Sequence, residues 1–435
     1  MAAAVTVAVA TLTLLPLAAR AQGGATAGDA APLTAAVQAE LVDSLGALLE
    51  RFYPAADTGA MIARHVRERL AAGAYRDVRD VRRFARLVTQ DLQSVNGDTH
   101  LVVDLAPAGG ARGPGGGPPP SHGVERVERL AGNVGYLRMS HFLGGAAAED
   151  AMTAALRYLA TTDAILLDLR NSRGGAAELA NFLISHFTGP DTVLSLTVYD
   201  RARDVTMERY TLADVPGPRR PDVPLFLLTD DVTRSAAEDV AFVLQNMRRA
   251  TLVGTRTAGA GRNVAGFPLG HGLVAGVSVT RVYDPRTRRE WEHVGVRPDV
   301  AVPADSALVV AHALALARLA EGAAGTHRRE LVLTREAVLA AARPSPVPPA
   351  TLRHWVGTYE GGQFVTLDGD HLVYQSRVAQ PRVPLVALGP TTFAAGATRY
   401  EFEEGATGVR LRITEADGAA STYPRTSATV PPRPR

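Results

Sequence analysis

Hydrophobic positions recur with helical spacing through the first hundred residues. Leucine and valine return every three or four positions, as at Val37, Leu41, Leu45, Leu48 and Leu49. This spacing places the apolar side chains on one face of a helix. We predict an N-terminal helical module over residues 31–105, in which Asp77 caps the last helix and residues 101–105 form a short strand.

From about residue 124 the pattern changes to short apolar runs that alternate with helical periodicity. Wholly apolar runs are typical of strands buried on both faces of a parallel sheet, and their alternation with helices predicts an α/β core. The expected strands cover residues 134–139, 164–169, 224–229, 251–254 and 273–283, and the expected helices cover residues 148–159, 176–187, 235–247 and 307–319. We place this core at residues 124–322.

A third pattern, with a period of two residues, occupies the last part of the chain. Runs such as residues 364–367 and 371–374 are separated by Asp-Gly and Gly-Pro turns, a combination that favours strands. We therefore predict a small all-β module over residues 350–425. A Gly/Pro-rich linker at residues 106–123 separates the helical module from the core, because it has too few apolar side chains to bury.

The N-terminus carries a pattern that is typical of export. Residues 2–17 are apolar and uncharged, and Ala19-Arg20-Ala21 follows as a small-x-small cleavage pattern. We predict a signal peptide at residues 1–21 and a periplasmic or secreted protein. An alanine-rich N-terminus without structure is the alternative. We expect no integral membrane span, because no other segment is long and apolar enough.

The composition excludes several classes of binding partner and catalytic group. The formal net charge is +2 without long runs of one sign, so nothing indicates a nucleic-acid partner. Cysteine is absent, which excludes disulfides, thiolate nucleophiles and cysteine-ligated zinc. All 46 basic residues are arginine, since the chain contains no lysine. A mechanism with a lysine base is therefore excluded.

Two turns follow buried strands and open helices. Residues 168–175 end in Gly174-Gly175, and paired glycines let the backbone approach a ligand at a helix N-terminus. The second turn places Ser235 at a helix start, with Glu238 three residues later. The first turn could serve only chain reversal, and Ser235 could be only an N-cap in a capping box. A serine between strand and helix is also the setting of an exposed nucleophile.

Taken together, five short segments in order resemble one peptidase family. They are Gly-Tyr-Leu-Arg at 135–138, Asp-Leu-Arg-Asn with Gly-Gly at 168–175, Ser-Ala-Ala-Glu at 235–238, Ala-Thr-Leu-Val-Gly with Thr-Ala-Gly at 250–259, and Gly-Val-Arg-Pro-Asp at 295–299. The family that they resemble holds C-terminal processing proteases, tricorn protease and interphotoreceptor retinoid-binding protein. The resemblance covers residues 98–299 and implies an α/β core of Clp-protease/crotonase-like ββα type, with serine-type peptidase activity on a polypeptide substrate.

The resemblance also implies roles for individual residues. One branch of the family pairs its serine with a lysine, but Ala260 occupies that position here. The tricorn-like branch uses a histidine after a small hydroxyl residue, which Thr99-His100 matches, and a glutamate that Glu292 matches. The implied catalytic set is Ser235 as nucleophile, His100 as base, and Thr99 and Glu292 as orienting groups. The implied oxyanion hole is formed by the backbone amides of Gly174 or Gly175 and Ala236.

Several alternatives stay open at this stage. His293 and His141 are rival bases among the 11 histidines, whereas Ser140 lacks a helix start behind it. A non-proteolytic ligand-binding homologue on the same fold, or an acyl hydrolase such as an esterase, would use the same scaffold. No pair of histidines or carboxylates has metal-ligand spacing, so we predict no metal and no other cofactor.

Overall fold

The computed structural model describes residues 33–106, 121–343, 345–377 and 380–430. The predicted signal peptide at residues 1–21 lies outside the described residues. So does most of the predicted linker, residues 107–120.

Helices fill the first described part of the chain, as the periodicity predicted. They are α1 (Ala35–Phe52), α2 (Ala56–Ala71) and α3 (Val81–Asn96), followed by strand β1 (Val102–Leu105). The prediction that Asp77 caps α3 is wrong. Asp80 is the cap, because its carboxylate accepts a hydrogen bond at 2.7 Å from the amide of Arg83 in the first turn. The helix ends at Asn96, and Gly97 caps it with a φ of 76°, which is typical of a helix C-terminus.

Strands and helices alternate through the next part. In chain order they are β2 (Val124–Leu130), β3 (Val134–Met139), α4 (Ala146–Tyr158), β4 (Ala164–Asp168), α5 (Ala177–His186), β5 (Leu194–Asp200), β6 (Val205–Tyr210), β7 (Leu225–Thr229), α6 (Ala236–Asn246), β8 (Thr251–Gly254), β9 (Val264–Gly270), β10 (Leu273–Ser278), β11 (Thr280–Tyr283), β12 (Val300–Ala301), α7 (Ala307–Gly322) and α8 (Gly325–Ala342). The predicted alternation is confirmed, but α8 is a helix that was not predicted from the sequence. Its buried residues, Leu331, Thr334 and Ala337, form a narrow stripe that includes a polar side chain.

A six-stranded sheet organises this part, in the order β12-β8-β7-β4-β3-β2. All neighbours are parallel except the β2–β3 pair. Strands β4 and β7 are buried at every residue, as expected for a parallel sheet with both faces covered. Their carboxyl ends lead into the two turns that the sequence singled out.

The described residues also form two three-stranded sheets, in the orders β1-β10-β9 and β11-β5-β6. The expected single strand at residues 273–283 divides into β10 and β11, which belong to different sheets. Strand β1 pairs with β10 although about 170 residues separate them along the chain. Apolar residues of α1, α2 and α3 share one core with β1, β9 and β10, so the helices are held against this three-stranded sheet.

The strands of the last part form one antiparallel sheet, as their period of two predicted. The prediction that residues 350–425 are all-β is wrong at its start, where a short helix precedes the strands. After α9 (Pro349–Trp355) come β13 (Gly357–Tyr359), β14 (Gln363–Asp368), β15 (His371–Gln375), β16 (Val383–Pro384), β17 (Val386–Ala387), β18 (Thr392–Ala395), β19 (Thr398–Gly405), β20 (Gly408–Thr414) and β21 (Ala420–Ser427). The order is β16-β15-β14-β13-β21-β20-β19-β18-β17. Only Leu385 separates the two edge strands along the chain, so the sheet curls until it is nearly closed.

No helix within the described ranges combines the length and the apolar character needed to cross a membrane.

Candidate active site

Ser235 lies in a strained turn between β7 and α6. Its backbone has φ 54° and ψ −124° at the N-cap of α6, a conformation that costs a non-glycine residue about 1–3 kcal/mol and persists only where its surroundings impose it. The preceding turn supplies that constraint. The Thr233 hydroxyl donates to the carbonyl of Leu169 at 2.9 Å, and the Thr233 amide donates to the Asp230 carboxylate at 2.8 Å.

The carboxylate of Glu238 holds the Ser235 turn from the other side. Its Oε2 accepts hydrogen bonds from the amides of Ser235 at 2.9 Å and Ala260 at 2.8 Å. Its Oε1 accepts from the Thr257 hydroxyl at 2.5 Å and the Gly259 amide at 2.6 Å. Burial raises the pKa of Glu238, whereas these hydrogen bonds oppose the rise. The bond to the Ser235 amide belongs to the expected capping box, which is present, and Glu238 also fixes residues 257–260 beside the serine.

The glycine turn after β4 packs directly against Ser235. A Cβ atom on Gly174 would lie 2.7 Å from the Cβ of Ser235 and 2.6 Å from the carbonyl oxygen of Arg234, so only glycine permits this approach. Phe142 bridges the turn: its amide donates to the Gly174 carbonyl at 2.8 Å, and its carbonyl accepts from the Ala176 amide at 2.6 Å.

This bridge determines which backbone amides can face a ligand. It uses the carbonyl of Gly174 and the amide of Ala176, and it leaves the amide of Gly175 outside. Ala236 is the first residue of α6, so its amide has no partner within the helix. Gly175, Ser235 and Ala236 all line one cavity.

That cavity has a volume of about 650 Å³. Apolar side chains from α5, β5, β11 and the loop before β12 form part of its wall: Phe182, Val198, Val282 and Trp291. Arg209 and Asp239 also line it and form a salt bridge with contacts of 2.5 and 2.6 Å. A concave apolar wall beside a few polar groups is the usual form of a substrate site.

His100 lies in a buried cluster with an acidic neighbour. Its side chain is 8% exposed, and its Nδ1 atom is 3.5 Å from Oδ1 of Asp98. Asp98 is fully buried and accepts hydrogen bonds from the His100 amide, the Tyr53 hydroxyl and the Ser278 hydroxyl at 2.9, 3.0 and 2.8 Å. Burial alone would raise the pKa of Asp98, but hydrogen bonds from His100 and Ser278 hold it well below its usual range. Asp98 is therefore a carboxylate placed to orient the imidazole.

Glu292, from the loop between β11 and β12, belongs to the same cluster. Its Oε2 accepts a hydrogen bond from the Gly261 amide at 2.5 Å, and its Oε1 is 3.8 Å from Nε of Arg262. Burial, aided by the charge of Asp98, raises the pKa of Glu292 to about 7. Gly261 and Arg262 also line the cavity at Ser235, so these two residues border both the cavity and the cluster.

Arg262 connects the helices to the α/β part at this point. Its guanidinium donates to the Tyr53 hydroxyl and lies over the Tyr53 ring, with its central carbon 4.9 Å from the ring centroid. It also lies 3.3 Å from Oδ2 of Asp98. The cation therefore sits between two carboxylates contributed by distant segments.

A direct contact joins the serine segment to the histidine segment. Arg234, the residue before Ser235, donates from Nη2 to the hydroxyl of Thr99, the residue before His100, at 2.8 Å. Thr99 thus holds a neighbour of the serine by its hydroxyl group. Two segments 135 residues apart meet here.

The rival histidines have different surroundings. His293 adjoins the cluster with its Nε2 3.6 Å from Oε1 of Glu292, and burial together with Arg262 lowers its pKa. His141 is exposed, and His271 pairs with Glu40 at 3.5 Å.

The structure thus gathers the predicted residues into two adjoining groups. Ser235, Gly174, Gly175 and Ala236 form the serine turn and its cavity, while Thr99, His100 and Glu292 join the buried cluster. Asp98, Tyr53 and Arg262 also belong to this cluster and were not predicted from the sequence. Asp98 lies two residues before His100, a spacing that could have indicated a carboxylate partner for the histidine. The pairing of Tyr53 with Arg262 leaves no signal in the sequence, because 208 positions lie between them.

Comparison with known proteins identifies two family segments. Residues 133–302 match "Peptidase family S41", and residues 28–118 match "N-terminal domain of Peptidase_S41 in eukaryotic IRBP". The carboxyl-terminal-processing protease of Synechocystis sp. is 34% identical over 170 residues, which cover 39% of this chain and 38% of that protein. The carboxyl-terminal-processing protease of Picosynechococcus sp. is 30% identical over 176 residues, covering 40% and 41%.

A solved structure titled photosystem II D1 C-terminal processing protease is also similar. It is 25% identical, with 40% of this chain and 43% of that chain covered and a TM-score of 0.34. The chain spans about two fifths of the length of the curated relatives it matches.

Proposed function

We propose that this chain, which contains a peptidase family S41 domain at residues 133–302, is a serine peptidase that uses Ser235 as nucleophile and His100 as general base. The observation that carries the proposal is the contact between Arg234 and Thr99. It brings the histidine segment against the strained serine turn, which opens on a cavity.

Acylation begins at the Ser235 hydroxyl. His100 takes the hydroxyl proton as the oxygen attacks the carbonyl carbon of the scissile peptide bond. The amides of Gly175 and Ala236, which line the cavity with Ser235, hold the oxyanion of the tetrahedral intermediate. The intermediate collapses when protonated His100 returns the proton to the leaving amine, and Ser235 is left as an acyl ester.

Water completes the reaction. His100, neutral again, takes a proton from a water molecule that attacks the ester, and Ser235 recovers its proton when the acid product leaves. Asp98, 3.5 Å from Nδ1 of His100, directs the other ring nitrogen toward the reacting groups and stabilises the imidazolium. A dyad with lysine has no residue to support it, because Ala260 lines the cavity where the related branch has lysine.

The proposal extends to substrate, location and layout. The matched relatives are named carboxyl-terminal-processing proteases, which supports a polypeptide substrate. We also propose that the chain is exported after cleavage near residue 21. Its proposed parts are a helical module, an α/β core and a β module.

A fluorophosphonate probe tests the nucleophile and its base. We expect the wild-type protein to be labelled and Ser235→Ala and His100→Ala to lose labelling. Ser140→Ala and His271→Ala are matched controls that should label at the wild-type rate, since neither lies at the proposed site. A folded wild-type protein that is not labelled would contradict catalysis and favour a ligand-binding homologue.

A second assay separates peptidase from esterase activity. Wild-type protein is incubated with a peptide library of mixed termini and, separately, with aryl esters of short acyl chains. Cleavage of peptides that Ser235→Ala abolishes is the expected result. Ester hydrolysis without any peptide cleavage would replace the peptidase proposal with that of an acyl hydrolase.

A further inference from the structure

The buried cluster beside the serine turn has the donor set of a metal site. Asp98, His100 and Glu292 each offer one ligand atom, and these atoms all lie within 4.8 Å of one another. We propose that the three side chains bind a transition-metal dication such as Zn²⁺, and that the bound metal reversibly blocks the proposed base.

The hydrogen bonding of His100 supports a ligand at this position. Both ring nitrogens are buried, and neither has a hydrogen-bond partner among the described residues. A buried polar atom without a hydrogen-bond partner destabilises the folded protein by about 1–3 kcal/mol. A metal ion would satisfy one of these nitrogens, and a substrate or water could satisfy the other.

The donor types select the class of metal. One imidazole nitrogen with two carboxylate oxygens suits Zn²⁺ and its first-row neighbours, whereas Ca²⁺ and Mg²⁺ prefer oxygen ligands alone. Tetrahedral ligands about 2.0–2.2 Å from zinc lie roughly 3.3–3.6 Å apart. The three atoms must therefore close by about 1 Å or slightly more, which side-chain rotation can supply. Three protein ligands leave a fourth position for water.

Neighbouring charges set the strength of binding. The two carboxylates attract a dication, but the Arg262 guanidinium lies 3.3 Å from Asp98 and 3.8 Å from Glu292, and it repels one. His293 is the other titratable group at this edge, with its ring 3.6 Å from Glu292. Tyr53, which donates to Asp98, carries no charge because burial raises its pKa well above the usual range. Removal of the arginine charge should tighten metal binding.

The consequence for catalysis follows from the chemistry of imidazole and rests on the proposed function. A neutral imidazole has one nitrogen lone pair free to accept a proton. A metal bound at either ring nitrogen uses that lone pair, so His100 cannot act as a base. Metal binding and acylation of Ser235 are then mutually exclusive.

Zinc affinity is the direct test, measured by competition with a chromophoric chelator on chelator-treated protein. We expect saturable binding of one Zn²⁺ by the wild type and by Ser235→Ala. Loss of an outer-sphere partner already weakens metal sites about 10- to 100-fold. His100→Ala and Glu292→Gln should therefore raise the zinc dissociation constant at least tenfold, and Arg262→Gln should lower it. His271→Ala, which removes an exposed histidine beside a carboxylate, is the matched control and should bind as the wild type does.

Co²⁺ provides a second readout that does not depend on activity. A tetrahedral Co²⁺ spectrum should appear in the wild type and vanish in Glu292→Gln, which keeps the size of the side chain. Equal zinc affinity in His100→Ala, Glu292→Gln and the wild type, or Ca²⁺ binding as tight as Zn²⁺ binding, would overturn the proposal.

Fluorophosphonate labelling then tests the inhibitory consequence. Zn²⁺ should slow labelling of the wild type, and EDTA should restore it. Should the wild type never be labelled, the proposed function fails while zinc binding by Ser235→Ala still decides the metal site. Should labelling occur at the same rate with the site saturated by zinc, the inhibitory role is wrong.

Discussion

Glu238→Gln tests how the serine turn is held. The wild-type carboxylate is fully buried and accepts four hydrogen bonds, two at each oxygen. A glutamine has the same shape, but one oxygen becomes an NH₂ group that cannot accept. The best arrangement keeps the amide oxygen on Ser235 and Ala260 and turns the NH₂ group toward Thr257 and Gly259.

The magnitude follows from those two neighbours. The Thr257 hydroxyl oxygen already accepts from the Val296 amide at 2.7 Å and can accept from the new NH₂ group with its second lone pair. The Gly259 amide can only donate and is left without a partner. One orphaned buried amide costs about 1–3 kcal/mol, so we expect the free energy of unfolding to fall by that amount. Glu238→Ala leaves four donors without their acceptor and should cost at least about 4 kcal/mol.

Urea unfolding monitored by tryptophan fluorescence measures this change. The chain has two tryptophans, and Trp291 packs against Phe242 of α6 with ring centroids 4.6 Å apart. A Trp355→Phe background leaves Trp291 as a single reporter near Glu238. Glu68→Gln, on the exposed surface of α2, is the matched control and should change the free energy by no more than about 0.5 kcal/mol.

The same variants separate stability from activity. Because Glu238→Gln keeps the bond to the Ser235 amide, fluorophosphonate labelling should stay within about tenfold of the wild-type rate, a loss of no more than about 1.4 kcal/mol. A Glu238→Gln protein as stable as the wild type would refute the account of the Gly259 amide. A folded Glu238→Gln protein without labelling would show that the carboxylate charge itself is needed.

Three further predictions concern neighbouring residues. Gly174→Ala should displace the serine turn and slow labelling about 10- to 100-fold, because Gly174 has a φ of 77° and its new Cβ would lie 2.6 Å from the Arg234 carbonyl oxygen. The control Gly189→Ala has open space around the new Cβ and should label at the wild-type rate. With EDTA present, the free energy of unfolding of the wild type should fall by up to about 3 kcal/mol as pH rises from 4.5 to 7. The reason is that burial raises the pKa of Glu292 to about 7 and favours its neutral form in the folded state. Urea titrations at several pH values should show no such fall for Glu292→Gln, and equal slopes for the two proteins would contradict this account. Thr99→Val removes the acceptor for Arg234 and should cost about 0.5–1.5 kcal/mol in the labelling barrier, while Thr99→Ser should label normally; equal rates for Val and Ser would make that hydrogen bond irrelevant.

Local periodicity was sufficient for most of the secondary structure. The helical repeat of Leu41, Leu45 and Leu49 survives as the buried face of α1, because one face of a helix must be apolar whatever it packs against. The predicted helix at residues 235–247 appears as Ala236–Asn246. Helix α8 escaped detection because only three of its residues are buried, which leaves no continuous apolar stripe in the sequence.

Strand partners could not be obtained from the same pattern. Residues 273–283 form one alternating run, but β10 pairs with β1 and β9 while β11 pairs with β5. The division depends on where the other strands lie, since a period of two specifies faces and not neighbours.

The candidate site divides along the same line. The sequence alone determined that lysine is absent and that a serine and a pair of glycines follow buried strands, because these features depend on residue identity and local turns. It could equally well describe Ser235 as a plain helix cap. Only the tertiary structure decided the surroundings of that serine. Gly174 packs against Ser235, the Ser235 amide donates to Glu238, and Arg234 donates to Thr99. The physical reason is that hydrogen bonds and ion pairs between distant segments form when the sheets and helices assemble, and neither partner of such a pair marks its own sequence.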